Sequence, residues 1–386
     1  MRSAFKNLPG SRKYSLDGGL LFAVTLCAIL GTLLIYSIVR SGISEGEGVT
    51  ASYWKTQLIS MCIGAFFAVV ISFLDYRKLA KLWFIYAPVA LALVALTFTS
   101  LAYRRGGADD QAWIKIGSFN MQPSEVLKIA FILSFSFHLS RDEENMNKPL
   151  HMLLLLMHAA VPLGIVAVQG DYGTAIIFVA IMAFMLISSH ISWKYLIAAP
   201  FIAAAGIAGM WFFALSDFHK KRIMVLIHPG TDPEGIEYQQ DLGLTALREG
   251  GVFGKGLFAD PKEYLYVPEQ HNDFIFAFVG QAFGFIGSLG IIILLAYICL
   301  KIFSDSRVAK DRLGRFICMG AFGMIFTHCV MNIGMVLKVA PVIGVPLPFF
   351  SAGGTAMVSM YVMIGLVLST YSHRAMSYNV FYEADD

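Results

Sequence analysis

An acid, Asp273, stands in the stretch PEQHNDFIFAFVG, residues 268–280, where a polar loop turns into a membrane-length apolar run. Burying an unpaired carboxylate is costly, so its presence there asks for a reason. Two readings compete. As a helix N-cap it would satisfy backbone N–H groups at the start of the apolar run. As a general base it would be kept ionised by the helix dipole, yet basic by apolar surroundings. His271, two residues earlier, is a rival base whose ordinary pKa suits proton transfer.

Other polar residues border apolar runs. In AWIKIGSFNMQPSEVLKIAF, residues 112–131, Pro123 followed by Ser124 and Glu125 predicts a helix start, with the acid at the positive end of the dipole. Glu125 and Lys128 are three apart and share a face. They form either a structural ion pair or, as a lysine within an apolar run suggests, a cation turned to an anionic substrate group. Asp171 in VQGDYGTAIIF reads preferentially as a helix cap. The basic trio Lys220, Lys221 and Arg222 suits lipid headgroups, or a pyrophosphate gripped by the planar fork of arginine. The Pro- and Gly-rich stretch 331–354 breaks a helix at membrane depth, which is tolerated only against protein or a watery cavity, and so predicts a site wall. GGVFGKG at 250–256 lacks the spacing and the Ser or Thr after Lys255 that a nucleotide phosphate loop needs.

The elements that must hold these residues follow from composition. The 386-residue chain is 57% hydrophobic and 14% charged, and apolar runs of 18 or more residues mark a polytopic all-α membrane protein. Ten spans are predicted near 20–39, 56–74, 82–102, 124–140, 152–169, 172–190, 195–215, 273–299, 316–337 and 351–371. The first run is too long for a signal peptide and lacks a cleavage site, so it counts as a span. Ten spans put both termini on one side. With termini inside, cytoplasmic segments hold about 16 of the 29 Lys and Arg, including Arg2, Lys6, Arg12 and Lys13, against about six in the short outer loops. The large outer segment 216–272 contains HPGTDPEGIEYQQDLGLTALREGG, in which Asp-Pro-Glu opens a short helix and Gly250-Gly251 closes it. No internal repeat divides the chain, which reads as one domain over 1–386. A net charge of +3, scattered along the chain, excludes a nucleic-acid binder. Five cysteines inside apolar runs, with no paired spacing, read as buried free thiols.

The same stretches, with DYRKL, GDYGTA, DPEGIEYQ, EGGVFGKG and PLPFFSAGG in order along nearly the whole chain, resemble the SEDS family of shape, elongation, division and sporulation proteins. The NIGMV…PVIGVPLPF wording is similar to the elongation (RodA) branch. The resemblance implies a peptidoglycan glycosyltransferase that polymerises lipid II at the outer face of the bacterial cytoplasmic membrane. It implies that the family's essential acid is Asp273, and that its functional positions near the fourth span are Trp113, Glu125 and Lys128. The family's loop arginine falls on Arg222. In that chemistry Asp273 takes the proton of an acceptor GlcNAc 4-hydroxyl, while Lys128 and Arg222 stabilise an undecaprenyl pyrophosphate leaving group. His271 is carried as a substrate-side neighbour. A divalent cation, Mg or Mn, would assist the pyrophosphate, although no ligand cluster in the sequence argues for it. Expected partners are a class B penicillin-binding protein transpeptidase and other membrane proteins of the elongation complex.

The chain departs from the family pattern. The usual Glu-Glu pair after Asp-Phe-Ile-Phe reads Gln281-Ala282, His-Thr-Asp reads His271-Asn272-Asp273, and the late Ser-Tyr-Gly-Gly-Ser-Ser reads Ser351 to Ala356 as SAGGTA. None removes the acid. A flippase of lipid-linked precursors and a silent scaffold of the elongation complex are the rival functions.

Overall fold

The computed structural model describes residues 15–103, 111–116, 119–142, 144–213, 215–232 and 235–374. The basic N-terminal residues counted for orientation lie outside them, as do Pro233 and Glu234 of the expected helix start. Each of the ten expected spans contains a helix, although the third, expected to reach residue 102, is helical only to Phe98 and ends in a short strand. Seven helices are long and apolar enough to cross a membrane: α1 (Gly18–Ser41), α2 (Ser52–Phe73), α6 (Pro149–Val168), α8 (Trp193–Phe213), α11 (Ile275–Val308), α12 (Arg312–Val336) and α13 (Gly354–Ser372). Two apolar helices, α4 (Trp83–Ala95, extended by a turn to Phe98) and α7 (Tyr172–Ile187), are shorter. The tenth, α5 (Pro123–Asp142), has its apolarity diluted by Glu125, Lys128, Arg141 and Asp142. A short helix, α3 (Tyr76–Lys81), links α2 to α4.

Two features were not expected. Residues between α4 and α5 form a small antiparallel sheet, β1 (Ala102–Tyr103), β2 (Trp113–Ile116) and β3 (Phe119–Met121), in that order. Strands of two to four residues carry too few alternations to be read as period two. The segment after α8 also holds a helix, α9 (Asp217–Ile227), beside the expected one, α10 (Ile236–Glu249), which ends against Gly250 and Gly251 as predicted.

Contacts sort the helix ends to two faces. On one, Gln57 Nε2 donates to Ser351 O (3.0 Å), Gln111 N to Gln169 O (3.3 Å) and Thr355 Oγ1 to Asn120 O (3.4 Å). On the other, Arg77 Nε meets Asp311 (2.5 Å), Asn147 Nδ2 donates to His190 O (2.9 Å) and Lys301 meets Asp17 (2.6 Å). That alternation is what a polytopic chain requires.

Helix packing relies on small residues, because lipid tails are as apolar as the helices themselves and give no hydrophobic drive. Along α2 and α13, a Cβ on Gly365 would stand 2.8 Å from Ala68 Cα, and one on Gly64 would stand 2.8 Å from Tyr361 Cβ. α11 breaks at Gly284, where φ is 65° and ψ −162°. Freed backbone groups inside a bilayer need partners, and GGVFGKG supplies them. Phe285 N donates to Gly251 O (2.9 Å) and Ile286 N to Val252 O (3.1 Å), while Lys255 N donates to Gln281 O (2.8 Å) and Gly256 N to Ala282 O (3.1 Å). Gly254, at φ +81°, has no room for a side chain: its Cβ would be 2.4 Å from Ala282 O. The glycine run that superficially suggested a phosphate loop is the splint of a broken helix.

Candidate active site

A cavity of about 1410 Å³ opens among α6, α7, α8 and α9 and the coil 341–347. Most of its wall is aliphatic. Its polar residues gather at the end nearest the large inter-helix segment, and include Asp171, Arg222, Glu269 and Asp273.

Asp273 lies in the turn that precedes α11. The helix begins at Ile275, its cap position is Phe274, and that cap has no side-chain hydrogen bond. Asp273 therefore stands one residue before the cap position. The residue lines the cavity and its carboxylate lies against the coil 341–347: a Cβ on Gly344 (φ +67°) would sit 3.3 Å from Asp273 Oδ2. The Pro- and Gly-rich stretch is a cavity wall, contributing Pro341, Gly344 and Pro346. Asp171 caps α7 as expected, accepting from Thr174 N at 2.9 Å, and also accepts from Gln122 Nε2 at 3.0 Å.

The other predicted residues divide. Trp113 on β2 and Arg222 on α9 join Asp273 in the cavity wall. Of the basic trio, Arg222 alone is a wall residue, and its guanidinium lies 4.4 Å from the Phe218 ring centroid. His271 is not in the wall. It is 2% exposed, packs edge-on to Tyr53 (5.1 Å) and points Nδ1 at Glu47 Oε2 (3.5 Å). Glu47 in turn accepts from Tyr266 OH (2.9 Å) and Glu269 N (2.8 Å). Burial pushes the Glu47 carboxyl up, but hydrogen bonds from His271, the Glu269 backbone and Tyr266 together hold it below the usual carboxylate range. His271 thus braces the turn from behind.

Glu125 and Lys128 also sit behind the wall, each 1% exposed. Lys128 Nζ bonds Glu125 Oε1 at 2.7 Å and His328 Nε2 at 3.1 Å. Glu125 Oε2 accepts from Ser359 Oγ at 2.7 Å. Since the ammonium only donates, His328 Nε2 accepts, and Nδ1–H donates to Pro346 O at 3.1 Å. The pair pins α5 to α12 and α13, and through His328 it reaches the coil that forms the wall.

Sequence reasoning missed Gln122, Tyr172, His219 and Gln239, all wall residues. Gln122, Tyr172 and His219 each lie at or beside a helix end next to a residue already singled out, Gln239 lies in the first turn of α10, and only their polarity signalled them. Among the described residues no group of three His, Cys, Asp or Glu gathers to hold a metal ion.

A family model described as cell cycle protein, FtsW/RodA/SpoVE, matches residues 19–376. The chain belongs to that family. It is 31% identical over 356 residues to the peptidoglycan glycosyltransferase MrdB of Escherichia coli K12, covering 91% of this chain and 94% of that one. Stage V sporulation protein E of Bacillus subtilis is 29% identical over 93% of this chain and 98% of its own length. Among solved structures, a chain from a peptidoglycan synthase complex described as coordinating polymerization and crosslinking superposes with a TM-score of 0.77 at 22% identity, covering 94% of this chain and 99% of that one. The rod shape determining protein RodA of Thermus thermophilus gives 0.69 at 21% identity with the same coverage. One departure from the FtsW/RodA/SpoVE pattern has a local explanation. Gln281 is fully buried, accepts from Leu265 N (2.6 Å) and donates to Leu265 O (2.9 Å). A carboxylate there has no hydrogen to donate, so the amide suits a two-point grip on a backbone unit.

Proposed function

We infer that this member of the FtsW/RodA/SpoVE family is a peptidoglycan glycosyltransferase serving cell elongation and rod shape, and we propose that it polymerises lipid II in the cavity that Asp273 lines. One observation carries the site reading: a carboxylate beside Gly344 in the wall of a large, mostly apolar cavity that is also lined by an arginine. The apolar wall suits polyprenyl chains. Asp273 takes the proton of the acceptor 4-hydroxyl as its oxygen attacks the anomeric carbon of the donor. The bond to the pyrophosphate breaks as the new glycosidic bond forms, and attack from the opposite side inverts an α-linked donor to a β-1,4 product. The leaving pyrophosphate departs as an anion, so it needs cations rather than a proton. Arg222 serves there through its bidentate fork. Trp113 contributes wall contact to the sugar-bearing end. Lys128, held by Glu125 and His328, acts from behind by fixing the Pro346 segment, and His271 by bracing the 266–273 turn.

The basic-residue bias supports an inner-membrane orientation with cytoplasmic termini and the cavity's polar end outside, where lipid II is consumed. A class B penicillin-binding protein would supply crosslinking. The test is strand synthesis from lipid II by purified full-length protein with and without that transpeptidase. Wild-type protein gives long glycan strands, and Asp273→Asn, which keeps the shape and removes the base, lowers the rate at least about 1000-fold. Undiminished synthesis by the variant sinks the assignment of Asp273. Transfer of lipid II across liposomes without any polymer would favour the flippase.

A further inference from the structure

Three consecutive backbone carbonyls precede α11, and each accepts a hydrogen bond from outside the turn. His271 O takes the Ala352 N–H at 2.9 Å. Asn272 O takes the Ser351 hydroxyl at 2.7 Å. Asp273 O takes Asn332 Nδ2 at 2.8 Å. The same amide nitrogen donates its other hydrogen to Val345 O at 2.8 Å, and Ser351 Oγ accepts the Leu347 N–H at 2.8 Å. Two side chains therefore tie the turn carrying Asp273 to the coil that it faces.

Neither Asn332 nor Ser351 lines the cavity. Asn332 is wholly buried on α12 and Ser351 is 6% exposed. An amide buried within a membrane-spanning helix is expensive unless bonded, and an apolar side chain would pack there without that cost. What the amide adds is geometry. It fixes the main chain from which Asp273 projects, and through Val345 it fixes Gly344, which leaves room for the carboxylate because it has no Cβ.

We propose that Asn332 and Ser351 are positioning residues for the reaction. They clamp the 271–273 carbonyls against the coil 341–347 so that the Asp273 carboxylate is held at attack geometry. The proposal rests on Asp273 being the base.

The experiment measures kcat and KM for lipid II polymerisation, pH–rate profiles and thermal midpoints on purified full-length variants. Asn332→Leu keeps the volume and removes both donors. It lowers kcat about 100-fold, the scale of an ångström's misplacement, with KM within about threefold of wild type. It also moves the acid limb of the pH–rate profile. Ser351→Ala loses about tenfold in kcat, while Ser351→Thr, which keeps the hydroxyl, stays within about threefold of wild type. The inference is overturned if folded Asn332→Leu keeps its kcat, or if kcat, KM and the thermal midpoint all deteriorate together as a purely structural role requires. Should Asn332→Leu fail to fold, the Ser351 pair decides by the same criteria. An Asp273→Asn arm separates the two ideas. Activity retained there defeats the base itself, whereas activity lost there but kept in the Asn332 and Ser351 variants defeats only the clamp.

Discussion

Helices α8 and α13 are both membrane-length, and α8 is the more apolar, yet α13 buries 13 of its 19 residues and α8 buries none. Apolarity therefore does not decide which helix packs. Close fit and polar anchors do. α13 approaches α2 through Gly365, Ser359 bonds Glu125, and Tyr76 N donates to Ser369 Oγ (3.2 Å). On α8, a Cβ at Gly206 or Gly209 would meet nothing within 4 Å. The packed half holds the proposed base and its supports in one geometry. The loose half leaves room beside it for a lipid-sized occupant.

The comparison can be broken most sharply at Lys128. Lys128→Met leaves Glu125 as an uncompensated buried charge and destabilises the protein by about 3–5 kcal/mol, read as a fall in thermal midpoint in detergent or nanodiscs. Adding Glu125→Gln restores most of that stability. If the folded double variant also regains polymerisation, Lys128 works as a strut; if it stays inactive, Lys128 meets the substrate directly. Next comes Arg222→Met, in the loose half. The prediction is a loss of about 100-fold in kcat/KM, with the midpoint nearly unchanged, because the side chain guards a cavity rather than a core.

Gly365→Ala and Gly206→Ala make the same chemical change in the two halves. The first forces Ala68 backbone away and costs about 1–3 kcal/mol, whereas the second is neutral or stabilises by up to about 1 kcal/mol. Equal effects from the two would refute the contrast. The smallest effect is a pH dependence at the brace. Glu47 has a folded pKa below its unfolded one, so its contribution is complete above the ordinary carboxylate range and fades as pH falls through the depressed value. Glu47→Gln should flatten that part of the stability–pH curve, measured by thermal midpoints between about pH 3 and pH 6.

The ten helices were legible because each apolar run had to span a bilayer. α10 was legible from its closing glycines, and the Asp171 cap from the residues around it. The sheet at β1–β3 and helix α9 were not, since runs that short leave little periodicity to read. The site was legible by residue type but not by depth. Glu125 and Lys128 stood out as charges within a span, and spacing said that they share a face without saying which way that face turns. His271 and Asp273 are two apart, yet one braces the turn from behind while the other lines the cavity, because the turn is held by Ser351, Ala352 and Asn332, residues 59 to 81 positions away.

Sequence alone thus determined the membrane class, the span order and the small set of ionisable residues worth suspecting, since hydropathy and the scarcity of charge act locally along the chain. Tertiary structure alone decided which of those residues share the cavity and which stand behind its wall. Direction at a helix end or a turn depends on hydrogen bonds to segments far away in sequence, and no local pattern encodes those partners.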